Sequence, residues 1–147
     1  MGINGIMNMR QKMAPIVVTS RDRERLTQVI DLFASQRYDV LVEFLREELR
    51  RAAVVPPESV PRNVVTMNSR VRYRDDIVGE VYTASLVYPG QEDSVLGRIS
   101  VLSPTGTALI GLTEGQTITW TTLDGDTKRI TLLKVLFQPE AVGRFDL

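Results

Sequence analysis

With 147 residues, 43% of them hydrophobic and 24% charged, the chain has the composition of one ordinary globular domain or of a small domain with an appendage. Its 18 basic and 18 acidic residues cancel. That balance argues against a strongly basic nucleic-acid binder, since neutralising phosphates takes an excess of Lys and Arg, and leaves room only for a local cationic patch. There is no Cys and no His, which removes disulfides, thiol nucleophiles, the usual zinc ligands and the commonest general base near neutral pH.

The first residues, 1–15, contain Met1, Met7, Met9 and Met13 but no continuous apolar core. They make a poor signal peptide and are expected to form a flexible leader, with the internal Met residues as alternative starts. No later segment is apolar for long enough to span a membrane, and the absence of Cys fits a reducing cytoplasm. Pro15-Ile16-Val17-Val18 is a short apolar run expected to be extended. Thr19-Ser20 then offers a helix N-cap, with Asp22 three residues after Thr19 in the position of a capping box. Leu26, Val29, Ile30 and Phe33 follow at the i, i+3, i+4, i+7 spacing of one apolar helix stripe. The pattern breaks at Ala34-Ser35-Gln36-Arg37 and resumes at helical spacing with Leu41, Phe44, Leu45, Leu49 and Ala52. Two amphipathic helices joined by a short loop predict an antiparallel hairpin over 16–53, only ~20–25 Å long at 1.5 Å per residue.

Val54-Val55-Pro56-Pro57-Glu58-Ser59-Val60-Pro61 cannot continue a helix, and 54–61 is expected to be a Pro-rich linker. From 62 to 147 the chain reads as strands and turns. Val64–Met67, Arg70–Arg74, Gly79–Tyr88 and Arg98–Leu102 are strand candidates. Thr117–Thr122 alternates, and Asp124-Gly125 turns it into Arg129–Phe137 as a hairpin. Pro104–Ile110 is a brief helix, stopped by Gly111. The predicted architecture is α+β: a helical hairpin followed by a small antiparallel sheet with one short helix.

Several blocks in this second half resemble a known family. Gly97-Arg98-Ile99-Ser100-Val101-Leu102-Ser103-Pro104, continuing through Ala108-Leu109-Ile110-Gly111 and Glu114-Gly115-Gln116, is similar to the C-terminal signature of the GreA and GreB transcript-cleavage factors, with Gln116 standing where that family usually has Asp. Val64 to Val71, Leu86-Val87-Tyr88-Pro89 and Gln138-Pro139-Glu140-Ala141 narrow the resemblance to the short-armed Rnk branch of the Gre superfamily, over roughly Ile16 to the C-terminus. The resemblance implies an FKBP-like sheet domain at 62–147, an N-terminal antiparallel coiled coil, and a bacterial RNA polymerase as partner, with the sheet domain at the rim of its secondary channel. It also implies a link to nucleoside diphosphate kinase levels.

Gre factors cleave through acidic residues at the coiled-coil tip, because a second Mg²⁺ must be held beside the polymerase's own and Mg²⁺ wants carboxylate oxygens. Here the tip Arg37-Tyr38-Asp39 offers one carboxylate, Val42 stands three residues on, and Arg37 repels a cation. By resemblance the arm is also about half the length of a cleavage factor's. No catalytic residue, metal site or cofactor is therefore expected, and Asp39 reads as an N-cap. Two stretches are the expected partner contacts. Ser103, Pro104 and Thr105 face the polymerase by resemblance, and also read as a cap with Pro at the first helical position. Arg70, Arg72 and Arg74 alternate on one strand face as a cationic stripe for an acidic partner surface.

Trp120, the only Trp, is expected in the core, with too few aromatics around it for an FKBP-type pocket. The expected function is a non-catalytic regulator that occupies the secondary-channel entrance and competes with Gre factors. The alternatives are a prolyl isomerase carried by the FKBP-like fold and an oligomeric interaction protein built on the hairpin stripe of Phe33, Phe44 and Leu45. Neither a membrane nor sequence-specific nucleic-acid recognition is expected, and the oligomeric state is open.

Overall fold

The computed structural model describes residues 7–9, 15–34, 39–122 and 124–147. Strand β1 (Met7–Met9) lies within the expected leader. Strand β2 (Val17–Thr19) leads into helix α1 (Ser20–Phe33), and helix α2 (Asp39–Arg51) runs into strand β3 (Ala53–Val55). Strands β4 (Arg70–Asp75), β5 (Glu80–Val87) and β6 (Arg98–Ser100) follow, then helix α3 (Pro104–Leu109) and strands β7 (Thr117–Thr122) and β8 (Thr127–Phe137). Six strands form one sheet in the order β1-β7-β8-β4-β5-β6, and β2 pairs with β3 apart from it.

The hairpin starts where its sequence says it should. The Thr19 hydroxyl accepts from the Asp22 N–H at 3.0 Å, satisfying one of the donors left open in the first turn. Helices of 14 and 13 residues are ~21 and ~20 Å long, in line with the short arm read from the sequence. Leu26, Val29, Ile30, Leu41, Leu45 and Leu49 are buried, and Phe33 and Phe44 pack against them half-buried. The same buried cluster continues through Val65, Met67, Leu86, Leu109 and Leu132, so the stripe of the hairpin is covered by its own sheet domain. Of the stretch 54–61, the first two residues belong to β3, which pairs in parallel with β2, and Pro57–Ser59 is a 3₁₀ turn.

Two strand expectations need correction. The sheet is not wholly antiparallel: β6 lies parallel to β5, with Ser85 opposite Arg98 and Val87 opposite Ser100. Loop 88–97 carries the chain back before β6 starts, and side-chain alternation reads the same in either direction. Val64–Met67 is not a strand either, although all four residues are buried. Val64 makes one isolated bridge to Thr113, Val65 N–H donates to Leu112 O, and the chain turns through Asn68 at φ +67°. The Ser69 hydroxyl takes the Thr66 N–H at 2.9 Å, so the buried backbone is satisfied without a ladder. Asp124-Gly125 does turn β7 into β8, with Gly125 at φ +89°.

Candidate functional site

The corner between β6 and α3 is set by a chain of local bonds. The Ser103 hydroxyl donates to Ser100 O at 2.7 Å and accepts from the Gly106 N–H at 3.0 Å, while Pro104 occupies the position that has no N–H partner to lose. Gly106 is required there, because a Cβ would meet Ser100 O at 2.0 Å. Thr107 is fully buried and donates to Val101 O at 2.6 Å, tying the helix back onto the strand. Pro104 is left exposed, with Ser103 and Thr105 half-buried beside it.

Pro104 and Thr105 form one wall of a cavity of about 390 Å³ whose other walls come from the inner face of the sheet. Tyr73 and Tyr82, opposite each other on β4 and β5, contribute rings with centroids 5.5 Å apart and planes at 30°. Trp120 and Ile130 supply its apolar floor, and Asp75 and Lys128 stand at its margin. Trp120 is a core residue as expected, at 4% exposure, and no partner is found for its Nε1. Of the other aromatics of the domain, Tyr73 and Tyr82 line the same cavity, whereas Tyr88 and Phe137 do not. Burial, then the neighbouring Tyr82 and Asp75, push the Tyr73 hydroxyl above its ordinary range. A second depression shares Tyr73 and Thr105 and adds Ser103 and Arg98.

The two expected contact groups are not brought together. Tyr73 faces the cavity on the inner side of β4, so Arg70, Arg72 and Arg74, which alternate with it and are all exposed, stand on the outer face. Arg74 Nε meets Asp76 Oδ1 at 2.6 Å, and Arg129 Nε approaches Asp76 Oδ2 at 3.7 Å. The tip residues Arg37 and Tyr38 lie outside the described residues, and Asp39 is the first residue of α2. Among the described residues, no three His, Cys, Asp or Glu side chains come together to hold a metal ion. No described helix is long and apolar enough to cross a membrane.

The sequence reading missed a seam between arm and sheet domain. From the sequence, Asp22 is legible only as a cap partner. Its carboxylate is buried at 2% exposure and accepts the Met67 N–H, 45 residues away, at 3.0 Å. Burial raises its pKa to about 6, opposed by the Met67 bond, raised further by Glu140 and lowered by Arg25 and Arg21. Arg25 lies over the Tyr88 ring at 5.1 Å and donates to Leu147 O at 2.9 Å, while Arg21 donates to Phe145 O. Only a partner that distant in sequence could have revealed this role.

The model of the GreA/GreB transcription elongation factor C-terminal domain matches residues 60–137, and that of the Rnk N-terminus matches residues 15–55. The regulator of nucleoside diphosphate kinase of Escherichia coli strain K12 is 37% identical over 132 residues, covering 82% of this chain and 97% of that protein. Transcription elongation factor GreA of Thermodesulfovibrio yellowstonii is 36% identical over 78 residues, 53% of this chain and 49% of that one. A solved prokaryotic transcription elongation factor GreA/GreB from Nitrosomonas europaea superposes with a TM-score of 0.69 at 38% identity, covering 83% of this chain and 99% of its own. The match therefore runs through hairpin and sheet domain together, and the chain belongs to the GreA/GreB family, in the branch of the regulator of nucleoside diphosphate kinase.

Proposed function

We propose that this protein is a cytoplasmic regulator of transcription elongation that binds RNA polymerase at the secondary-channel entrance, competes there with Gre cleavage factors and does not itself cleave transcripts. The families it joins are regulatory factors. The observation that carries the reading is the corner Ser103-Pro104-Thr105: rigidly capped, with Pro104 exposed, and beside a cavity lined by three aromatic residues in the part of the chain that matches the GreA/GreB domain. A rigid corner next to an apolar hollow suits docking against a protein, where buried anchors carry most of the energy. Arg70, Arg72 and Arg74, also expected as partner contacts, face the other way and stay open when that corner is engaged.

Absence of cleavage follows from reach and charge. An arm of ~20 Å cannot carry a ligand deep into a channel, and catalytic positioning tolerates about an ångström. The tip sequence Arg37-Tyr38-Asp39 supplies a single carboxylate where a hard Mg²⁺ ion needs several oxygens. The test uses backtracked polymerase complexes with labelled RNA. The protein should leave RNA length at the intrinsic rate, and should slow shortening by a true Gre factor added with it. Thr105→Arg, which keeps the Ser103 cap, should abolish that competition. Stimulated cleavage, or undiminished competition by Thr105→Arg, would refute the reading.

Prolyl isomerisation is the second reading, favoured by Tyr73, Tyr82 and Trp120 around one cavity. A proline-peptide isomerisation assay decides it: acceleration lost in Tyr82→Ala would support it, and no acceleration would remove it.

A further inference from the structure

We infer that the outer face of the sheet binds the phosphate backbone of a nucleic-acid duplex without regard to sequence, through Arg70, Arg72 and Lys134 with Arg74 and Arg129 beside them. The chain is neutral as a whole, yet five of its 18 basic residues stand together on this face. β4 presents Arg70, Arg72 and Arg74 outward at every second residue, ~6.8 Å apart. Lys134 of β8 stands directly opposite Arg72, with Thr83 of β5 on the other side. Arg129 faces outward too, since its neighbours Lys128 and Ile130 line the inner cavity.

Among the described residues, the carboxylate that ion-pairs with these cations is Asp76, shared by Arg74 and Arg129. Among the described residues, no ion pair reaches Arg70, Arg72 or Lys134. Like charges directly opposite on neighbouring strands destabilise a sheet, and all three side chains are exposed. Folding gives no reason for the Arg72–Lys134 pair, whereas an external polyanion would relieve it.

Composition selects the partner. Protein interfaces need a desolvated apolar centre, whereas the apolar side chains paired with these arginines, Val81 opposite Arg74 and Phe137 opposite Arg70, stand at the two ends of the stripe. This face instead sets its cations among the hydroxyls of Thr83, opposite Arg72, and Ser85, opposite Arg70, small donors of the kind that accompany Arg and Lys on phosphates, while the buried Thr131 hydroxyl is spent on Asp76. Single strands are held by stacking bases on several aromatic rings; the cluster Tyr73, Tyr82 and Trp120 is on the opposite face, and beside the arginines of β4, among the described residues, only the half-buried Phe137 is found, opposite Arg70. Phosphate contact without stacking points to a duplex, read through its backbone alone.

The experiment is fluorescence anisotropy with the full chain and a labelled 20-base-pair DNA duplex of arbitrary sequence, titrated from low to physiological salt. About four net cations predict a slope of log K against log salt of about −3 to −4, and removing one contact should reduce it by roughly 0.9. Arg72→Glu combined with Lys134→Glu should abolish binding while circular dichroism stays unchanged, and Thr105→Arg, on the other face, should bind as the wild type does. A single strand of equal length should bind more weakly, and poly-glutamate more weakly still. No binding at 50 mM salt, an unaffected double variant, or preference for the single strand or for poly-glutamate would each overturn the inference. Because Thr105→Arg tests polymerase docking and the double variant tests this face, failure of one reading is separable from failure of the other.

Discussion

The inner and outer faces of the sheet are made by the same strands, yet they are held to opposite rules. On β4, Val71 and Tyr73 point inward to core and cavity while Arg70, Arg72 and Arg74 point out to solvent. On β8, Ile130 and Leu132 are buried, and a register shift at Leu133 turns Lys134 outward, opposite Arg72. The inner face is fixed by packing, where a lost methylene is felt because the interior is close-packed. The outer face is less tightly packed, so the exposed cations that stand there report on charge and on what the protein meets. The difference explains why one strand can serve both stability and recognition: a period of two, shifted once on β8 at Leu133, keeps the functions apart.

The comparison breaks first on the inner face. Leu132 is fully buried at the centre of the sheet, across from Tyr73. Leu132→Ala should destabilise by about 2–5 kcal/mol through lost transfer energy and the cavity left behind, read as a lower urea midpoint with an unchanged slope. Arg72→Ala, on the adjacent strand but facing outward, should stay within about 0.5 kcal/mol of the wild type. Equal losses at the two positions would mean that the faces are not independent.

Much of this organisation is legible in the sequence because it is local. The stripe Leu26, Val29, Ile30 and Phe33 gives α1, Thr19 caps it, the alternation around Val71 and Tyr73 gives β4 and its charged side, and Asp124-Gly125 gives the β7–β8 hairpin. What escapes is set by distant pairing. The parallel seat of β6 depends on how loop 88–97 returns. Val64–Met67 has strand composition, but the Ser69 hydroxyl and the backbone of Gly111 and Leu112 take its hydrogen bonds. Of the site, Ser103 and Pro104 are readable as a cap, whereas the cavity beside them needs rings from β4, β5 and β7 that no spacing rule joins. The seam at Asp22 is hidden for the same reason.

That seam sharpens the comparison, since it is a buried surface that is polar. Asp22→Ala leaves the Met67 N–H without its acceptor and should cost about 1–3 kcal/mol. Asp22→Asn keeps an acceptor and removes the charge, so its effect depends on pH. Burial raises the Asp22 pKa from 3.8 to about 6, so the folded state holds this proton more tightly than the unfolded chain does. The associated stability is fully present below pH ~4 and is lost as pH rises through ~6. The stability of Asp22→Asn relative to wild type should therefore improve by about 2 kcal/mol between pH 4.5 and pH 8, at 1.36 kcal/mol per unit. A pH-independent difference in paired urea titrations would show that the carboxylate is not strained by its burial.

The smallest expected change is on the outer face, and it runs in the unusual direction. Lys134 faces Arg72 across the β4–β8 ladder, and both are exposed. Directly opposed cations repel, and opposite charges in the same place attract by roughly 0.2–1 kcal/mol. Lys134→Glu should therefore raise stability by a few tenths of a kcal/mol, most clearly at low salt, where screening is weakest. The same substitution removes one phosphate contact and places a carboxylate among those that remain, so duplex binding should fall steeply while stability rises. On the inner face no substitution can separate the two quantities in this way, because packing serves both the fold and the cavity wall. A Lys134→Glu variant that is less stable than wild type would show that Lys134 is held by the fold, and the contrast between the faces would then rest on burial alone.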